Sequence, residues 1–155
     1  MQGKFKNIFI QGPITHGFIA ESIENHCHKK NIGGHSIFLG QVRADEKDEG
    51  NVTAIEYTAY EQMALETAHD IREKKKKKYP LICAHIYHSL GVVKSGQISL
   101  FVFTSSEHRK AAFDACEELV ERIKAELPVW GKELIEGEKF AWKENISNFN
   151  DKYNK

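Results

Sequence analysis

The strongest constraint on the fold of this chain is an amphipathic pattern that predicts one long helix from about Glu107 to Glu126. An α-helix brings residues three or four positions apart onto one face. That face is apolar here and consists of Ala112, Cys116, Leu119, Val120, Ile123 and Leu127. The chain has 155 residues, enough for one domain with a buried core. We therefore expect this helix to pack against strands of the same domain.

Other periodic segments predict several strands and two further helices. The predicted strands cover 6–11, 35–43, 52–60, 81–88 and 97–104, with short strands near Leu134 and at 140–142. The predicted helices cover 15–30 and about 63–78, and Pro80 ends the second one. This order predicts an α+β fold with a mainly antiparallel sheet and packed helices, in an α/β-hammerhead-like arrangement. We expect a single domain over 1–146, followed by a polar tail over 147–155.

Two charged segments lack the hydrophobic pattern of an element that packs against a core. The acidic segment 44–50 ends in glycine, so we expect a mobile loop. The five lysines Lys74 to Lys78 lie near the predicted end of a helix, where cations favour the helix dipole. We therefore expect a solvated helix end there, because a lone lysine run is weak support for nucleic-acid binding.

The composition of the chain excludes several classes of function. Lysine plus arginine and aspartate plus glutamate each number 22, so no net charge recruits nucleic acid or an acidic membrane. No apolar run reaches the ~18 residues of a transmembrane helix, and the N-terminus lacks a signal-peptide core. The cysteines are too scattered for a disulfide framework, and we expect Cys83 and Cys116 in the core, with Cys27 as the only candidate reactive thiol. These observations predict a cytoplasmic protein.

Basic residues lie at the start of the long helix. Residues 104–107 fit a capping box, which would place His108 and Arg109 in the first helical turn. Cations there oppose the helix dipole by roughly 0.3–1 kcal/mol each, whereas the backbone N–H groups favour an anion. The two side chains are therefore either solvated surface residues or part of an anion-binding site.

Lys124 lies at the margin of the apolar face, near the other end of the helix. It either extends over the core with its amine in water or is partly desolvated and useful as a nucleophile or proton carrier. At ~1.5 Å per residue, His108 and Lys124 lie about 24 Å apart on a straight helix. They therefore belong to different sites, or a second copy of the chain supplies one of them.

The histidines do not predict a metal site. Two pairs are close in sequence, His26 with His28 and His85 with His88. Neither pair combines with a cysteine at a spacing typical of zinc sites. No metal and no cofactor are therefore predicted.

Five ordered motifs between Gly34 and Asn145 together resemble the large, catalytic subunit of molybdopterin synthase. Each motif alone is weak, but five in the same order make a specific match. They are the Phe-Leu-Gly-Gln-Val-Arg strand at 38–43, the Glu-Tyr to Met-Ala segment at 56–64, the His-Ser-Leu-Gly turn at 88–91, the Ser-Glu-His-Arg segment at 106–113, and the Lys-to-Pro-Val-Trp-Gly-Lys-Glu segment at 124–133.

The resemblance implies sulfur insertion. In that family, two sulfurs enter cyclic pyranopterin monophosphate (precursor Z) to form the dithiolene of molybdopterin. A small ubiquitin-like partner carries the sulfur as a thiocarboxylate on its Gly-Gly tail, so the enzyme needs no cysteine of its own for this step. The family assembles as a heterotetramer built on a homodimer, with pockets drawing on both copies. No nucleic acid and no membrane is implied as a partner.

The resemblance also implies roles for individual residues. Arg43, His108 and Arg109 would hold the phosphate and pterin of the substrate, and guanidinium groups suit phosphate. Lys124 matches the essential lysine near the incoming tail, and Lys132 the second lysine segment, so both are candidate catalytic residues. The other candidate substrate-binding residues lie in the same motifs: Phe38, Gln41, Val42, Gly131 and Glu133.

The chain departs from the family pattern at two positions. Gly131 stands where many members carry the first of two lysines, and Ser89 replaces an arginine after His88. Because of the Gly131 change, one alternative is a non-catalytic dimeric scaffold that binds the ubiquitin-like carrier. A third interpretation is an anion-binding regulatory module, which explains His108 and Arg109 but not the lysine segment.

Overall fold

The computed structural model describes residues 4–137 and 139–142, the last four by their backbone alone. Three helices lie within this part of the chain: α1 His16–Glu24, α2 Glu61–Lys78 and α3 Arg109–Glu126. The strands described are β1 Phe9–Gln11, β2 Gly34–Gln41, β3 Glu46–Lys47, β4 Gly50–Ala59, β5 Leu81–Lys94, β6 Ile98–Ser106, β7 Val129–Ile135 and β8 Lys139–Trp142. Within these residues, no helix is both long enough and apolar enough to cross a bilayer.

The eight strands form one sheet in the order β2-β6-β5-β4-β7-β8, with β1 beside β5 and β3 beside β4. The β1–β5 pair is parallel, and the other pairs are antiparallel. The predicted α+β single domain with a mainly antiparallel sheet is therefore confirmed. The predicted tail over 147–155 lies outside the described residues.

Strand β5 connects the two halves of the sheet. Its first half, up to His88, pairs with β6, and its last residues, from Gly91 to Lys94, pair with β4. The predicted strand over 81–88 was therefore too short, since β5 continues to Lys94. Gly91 has φ +82°, and this bends the strand without reversing it; the reversal comes at Gly96, where φ is +87°.

Helices cover both faces of the half-sheet that contains β6. Helices α2 and α3 pack on one face, against Ile86, Leu100 and Val102. Helix α1 packs on the other face, against Phe101 and Phe103. Strand β6 is therefore buried along its whole length. The predicted apolar face of α3 is confirmed, since its residues are buried: Ala112, Cys116, Leu119, Val120, Ile123 and the following Leu127.

The acidic segment that was expected to be a mobile loop forms a small hairpin instead. Strand β3 pairs with the start of β4, Glu46 opposite Asn51 and Lys47 opposite Gly50. The Asn51 backbone N–H donates to the Glu136 carboxylate at 3.2 Å. Gly50 has φ +129°, which residues other than glycine rarely adopt. Backbone pairing rather than apolar packing defines this hairpin, so hydrophobic periodicity could not reveal it.

The lysine run was also interpreted incorrectly as fully solvated. Lys75 is buried and donates to the Glu118 carboxylate at 2.8 Å. Lys78 donates to the same carboxylate at 2.8 and 3.0 Å, and the Tyr79 hydroxyl at 2.5 Å. Burial alone would raise the pKa of Glu118, but these hydrogen bonds outweigh it and lower the pKa to about 2. Glu118 thus joins the middle of α3 to the end of α2.

The predicted capping box before α3 does not form. The helix begins at Arg109, and its N-cap residue His108 makes no side-chain capping bond. Ser106 remains in β6, because β6 pairs with β2 as far as this residue. From the strand, its hydroxyl accepts from the Ala112 N–H at 3.0 Å and donates to the His108 carbonyl at 2.6 Å. Ser106 therefore supports the first helical turn from outside the helix.

Candidate functional site

A narrow pocket of about 70 Å³ lies where the last turns of α3 meet strands β2, β4, β5, β6 and β7. Its polar lining comes from Gln41, Tyr57, His88, Ser99 and Lys124. We call it the lysine pocket. Among the residues predicted from sequence, it brings together Gln41, Lys124 and Gly131.

A bulge in strand β2 places Gln41 at the lysine pocket. The register between β2 and β6 shifts between Gly40 and Gln41. Gly40 packs closely there, since a Cβ on it would lie 3.1 Å from the Leu100 Cβ. Bulges redirect side chains out of the regular alternation of a strand. The family motif at 38–43 thus includes the backbone irregularity that turns Gln41 to the pocket.

His88 is the neutral base of the lysine pocket. Its Nδ1 lies 2.8 Å from the Ser89 carbonyl oxygen, which only accepts, so Nδ1 carries the proton and Nε2 the lone pair. Burial, partly opposed by this hydrogen bond and aided by the positive charge of Lys124, lowers the pKa of His88 to about 4. The imidazole is therefore uncharged at neutral pH and can accept a proton.

Tyr57 and Gly131 face each other across the β4–β7 pair. The Tyr57 hydroxyl donates to Ser99 Oγ at 3.2 Å, and its ring packs edge-on against His88 with centroids 5.0 Å apart. A Cβ on Gly131 would lie 2.8 Å from Ile55 Cγ2 and 3.3 Å from Tyr57 Cε1. Only glycine fits at position 131 without displacing these two side chains.

Lys132 does not line the lysine pocket within one chain. Successive residues of a strand point to opposite faces, so Lys132 lies on the face of β7 opposite Gly131, in register with Glu56. Glu133 returns to the pocket face, but it is buried, with the Lys47 amine 3.9 Å from its carboxylate. The backbone of this chain therefore separates Lys132 from Lys124.

His108 and Arg109 line a second, open pocket of about 470 Å³ at the other end of α3. The His108 side chain is 89% exposed, with Glu107 3.7 Å away. A Cβ on Gly33 would overlap the Glu107 carbonyl oxygen, so this glycine lets the preceding loop pass close to the helix start. This pocket shares no lining residue with the lysine pocket, in agreement with the separation calculated from the helical rise.

Three other predicted residues lie outside both pockets. Arg43 is 73% exposed and pairs with Asp45 at 3.3 Å. Val42 is buried in the core between the two halves of the sheet, and Phe38 packs beneath α2 and α3. In this chain Val42 and Phe38 thus have packing roles, whereas Arg43 is available on the surface.

Sequence reasoning did not select His88, Tyr57 or Ser99 as site residues. Both His88 and Tyr57 lie inside motifs of the resemblance, and this was the signal that could have identified them. Ser99 is a small polar residue near the start of β6, and nothing in the sequence distinguishes it. Ser89, the departure after His88, is fully buried, and its hydroxyl has no hydrogen-bond partner among the described residues.

Comparisons with known proteins agree on one family. The family model described as MoaE protein matches residues 14–126. The molybdopterin synthase catalytic subunit of Thermoplasma volcanium is 34% identical over 76% of this chain and 85% of its own length. The subunit of the same name from Bacillus subtilis is 38% identical over 75% of this chain and 73% of its own length.

Solved structures give the same result. A molybdopterin synthase structure from Staphylococcus aureus matches with a TM-score of 0.78 and 28% identity, covering 93% of this chain and 99% of the other. A complex of subunits 1 and 2 of the molybdopterin-converting factor from Helicobacter pylori matches with a TM-score of 0.75 and 25% identity, covering 90% of each chain. The fold, the ordered motifs and these relatives together show that the chain belongs to the MoaE protein family.

Proposed function

We propose that this protein is the catalytic subunit of a molybdopterin synthase. It would transfer sulfur from the C-terminal thiocarboxylate of a small ubiquitin-like subunit to precursor Z, forming the dithiolene of molybdopterin. Family membership and the names of the relatives support this proposal, as does the two-subunit complex solved for the Helicobacter pylori protein. The observation that carries it is the lysine pocket, with a basic amine and a neutral imidazole in one narrow space.

The size of the lysine pocket suits a chain end without side chains. A water molecule needs about 10–15 Å³ of such volume, so a pocket of about 70 Å³ accepts only a few non-hydrogen atoms. The last glycine of a Gly-Gly tail, with its thiocarboxylate, meets this limit, whereas a fused pterin ring system does not. The positive charge of Lys124 would pair with the terminal thiocarboxylate.

His88 adds a proton acceptor to this arrangement. Once sulfur has bonded to the substrate, the carrier tail remains attached through a thioester, and water must cleave it. Because burial keeps His88 uncharged, its Nε2 could take the proton of that water. Lys124 would then stabilise the negative charge that develops on the carbonyl oxygen.

The substrate phosphate requires cations besides Lys124, which would pair with the carrier tail. Arg43, His108 and Arg109 are exposed and basic, but His108 and Arg109 lie at the far end of the same helix. In a homodimer the His108 end of one copy would complete the lysine pocket of the other. Lys132, on the opposite face of β7, would then serve a contact between copies or with the carrier.

The direct test combines the purified protein, thiocarboxylated carrier and precursor Z. We expect a dithiolene product, and none with a carrier that ends in an ordinary carboxylate. If the carrier binds but no product forms, the chain is a scaffold and the enzymatic proposal fails. If neither substrate nor carrier binds, the molybdopterin synthase assignment itself fails.

A further inference from the structure

A cluster of metal-ligand side chains lies outside both pockets. It contains His26, just after α1, and Cys83 and His85, both on β5. One donor atom from each of the three residues lies within 4.8 Å of the others. The two imidazole Nε2 atoms are 3.0 Å apart. Residues 57 and 59 positions apart in sequence are thus brought together only by the fold, which is why sequence spacing predicted no metal site.

The hydrogen bond of His26 prepares its other nitrogen as a ligand. His26 Nδ1 lies 2.7 Å from the Ser22 carbonyl oxygen, which only accepts. The ring proton is therefore on Nδ1, and the lone pair on Nε2 faces His85. Histidine ligands of metal ions are commonly fixed in this way, with the second nitrogen donating to a carbonyl.

His85 is the second imidazole of the cluster. The Lys6 amine lies 3.1 Å from Nδ1, so the ring proton is on Nε2 and is shared with His26. A neutral imidazole needs only a change of tautomer, without loss of a net proton, to present Nε2 to a metal ion.

Cys83 supplies the sulfur donor. It is buried, and the Lys29 amine donates to its Sγ at 2.8 Å. Lys29 thus occupies a position near the sulfur that a metal ion would otherwise take.

We propose that His26, Cys83 and His85 form a zinc-binding site, separate from the proposed sulfur-transfer pocket. Two imidazoles and one thiolate are ligands that Zn²⁺ prefers, and a tetrahedral site needs donors about 3.5 Å apart. The two Nε2 atoms lie 3.0 Å apart and every pair of donors lies within 4.8 Å, so shifts on the order of 1 Å complete the geometry. The fourth ligand is water or His35, whose ring centroid lies 6.4 Å from that of His26.

Binding changes the protons and the cations around the site. The Cys83 thiol releases one proton to solvent, and the His85 proton passes from Nε2 to Nδ1 through solvent as Lys6 withdraws. The Lys29 amine also leaves the sulfur. Both lysines lie at the surface end of the cluster and have long flexible stems, so they can move away without disturbing the sheet.

The test uses the full-length protein freed of metal, titrated with Zn²⁺ in competition with a chromogenic chelator. We expect one zinc per chain. Replacing the metal with Co²⁺ should give the near-ultraviolet charge-transfer band of a thiolate ligand. The variants Cys83→Ser and His26→Gln should weaken zinc binding by more than about tenfold, and Cys83→Ser should abolish the cobalt band.

Matched controls are available beside the cluster. Cys27→Ser and His28→Gln change exposed neighbours and should leave zinc binding unchanged. Lys29→Met removes the competing charge and should tighten binding severalfold. The cobalt spectrum of the unaltered protein needs no variant, so it tests for a thiolate ligand even if Cys83→Ser fails to fold. Binding below one zinc per chain, a spectrum without the thiolate band, or equal losses in the control variants would each overturn the proposal.

Discussion

The two ends of helix α3 differ in how completely one chain builds its surroundings. At the Lys124 end, five strands line a pocket of about 70 Å³ that includes the half-buried, neutral His88, while Lys124 itself is exposed. At the His108 end, the pocket is open, about 470 Å³, and the histidine side chain is 89% exposed. Cations that are open to solvent bind an anion weakly, because water and salt screen their charges. The comparison indicates that one chain supplies more of the surroundings at the Lys124 end than at the His108 end.

Loss of Lys124 should have the largest effect. We expect Lys124→Ala to lower the rate of sulfur transfer by about 10²–10³-fold, the scale of a lost oxyanion-stabilising group, with unchanged folding. Product formation and circular dichroism measure the two quantities. Lys76→Ala is the matched control, because this lysine makes only a surface contact with Glu73 at 3.8 Å. Near-normal turnover of Lys124→Ala would show that sulfur transfer does not take place in the lysine pocket.

Mixed dimers test whether the two ends meet across copies. His108→Ala and Lys124→Ala chains should each be inactive alone. When refolded together, they should recover roughly one quarter of the normal activity, because half of the two-fold symmetric dimers are hybrids with one intact site each. Each variant mixed with itself provides the baseline. Recovery no greater than this baseline would mean that each site lies within one chain.

Glu118 joins the middle of α3 to the end of α2 and so helps to hold α3, with both of its ends, in place. Glu118→Gln leaves the buried Lys75 without its counter-charge, so we expect the free energy of unfolding to fall by about 3–5 kcal/mol. Chemical denaturation measures it, with the exposed neighbour Glu117→Gln as control. The native pKa of about 2 lies below the ordinary value of 4.5, so this stabilisation is complete above pH 4.5 and is lost as the pH falls towards 2. A Glu118→Gln chain with the same acid sensitivity as the original would contradict this account.

A methyl group at position 131 should perturb the Lys124 end alone. We expect Gly131→Ala to lower the free energy of unfolding by about 1–3 kcal/mol, because the new Cβ overlaps Ile55. Denaturant unfolding tests this expectation. Gly17→Ala is the control, since nothing lies within 4 Å of that position in α1. If neither substitution changes the free energy of unfolding, the side chains around position 131 can move aside more easily than their contacts indicate.

The smallest effect concerns the charge of His88. Its pKa of about 4 keeps the imidazole neutral throughout the physiological range. We expect its ring resonances in an NMR titration to move by almost nothing between pH 6 and 8. The same ring in the urea-unfolded chain should titrate near the ordinary value of ~6.5. A folded-state transition in this interval would remove the proposed proton acceptor.

The elements with a strong period were predictable from sequence, and α3 is the best example. Its apolar face, its approximate ends and its length follow from local pattern alone. The strand predicted over 81–88 ended too early, because in sequence a glycine that bends a strand and one that reverses the chain look alike. Strand β3 was missed because two residues joined by backbone bonds have no hydrophobic period.

Residues of the lysine pocket were predicted from sequence only where they lie in a motif of the resemblance. Gln41, Lys124 and Gly131 lie in motifs of the resemblance and meet in one pocket. Lys132 follows Gly131 in sequence, but the alternation of a strand sends it to the other face. The buried pair of Lys75 and Glu118 comes from helices packed together, and a lysine run read along the sequence cannot show which of its members faces inward.

The contact between Gly131 and Ile55 also restricts how this sequence can evolve. A lysine at 131 would meet the Ile55 methyl group at once, so the substitution is disfavoured while isoleucine remains. A smaller residue at 55 would make room for the new side chain, so the two positions are coupled. Restoring a lysine at 131 therefore calls for a paired change at 55.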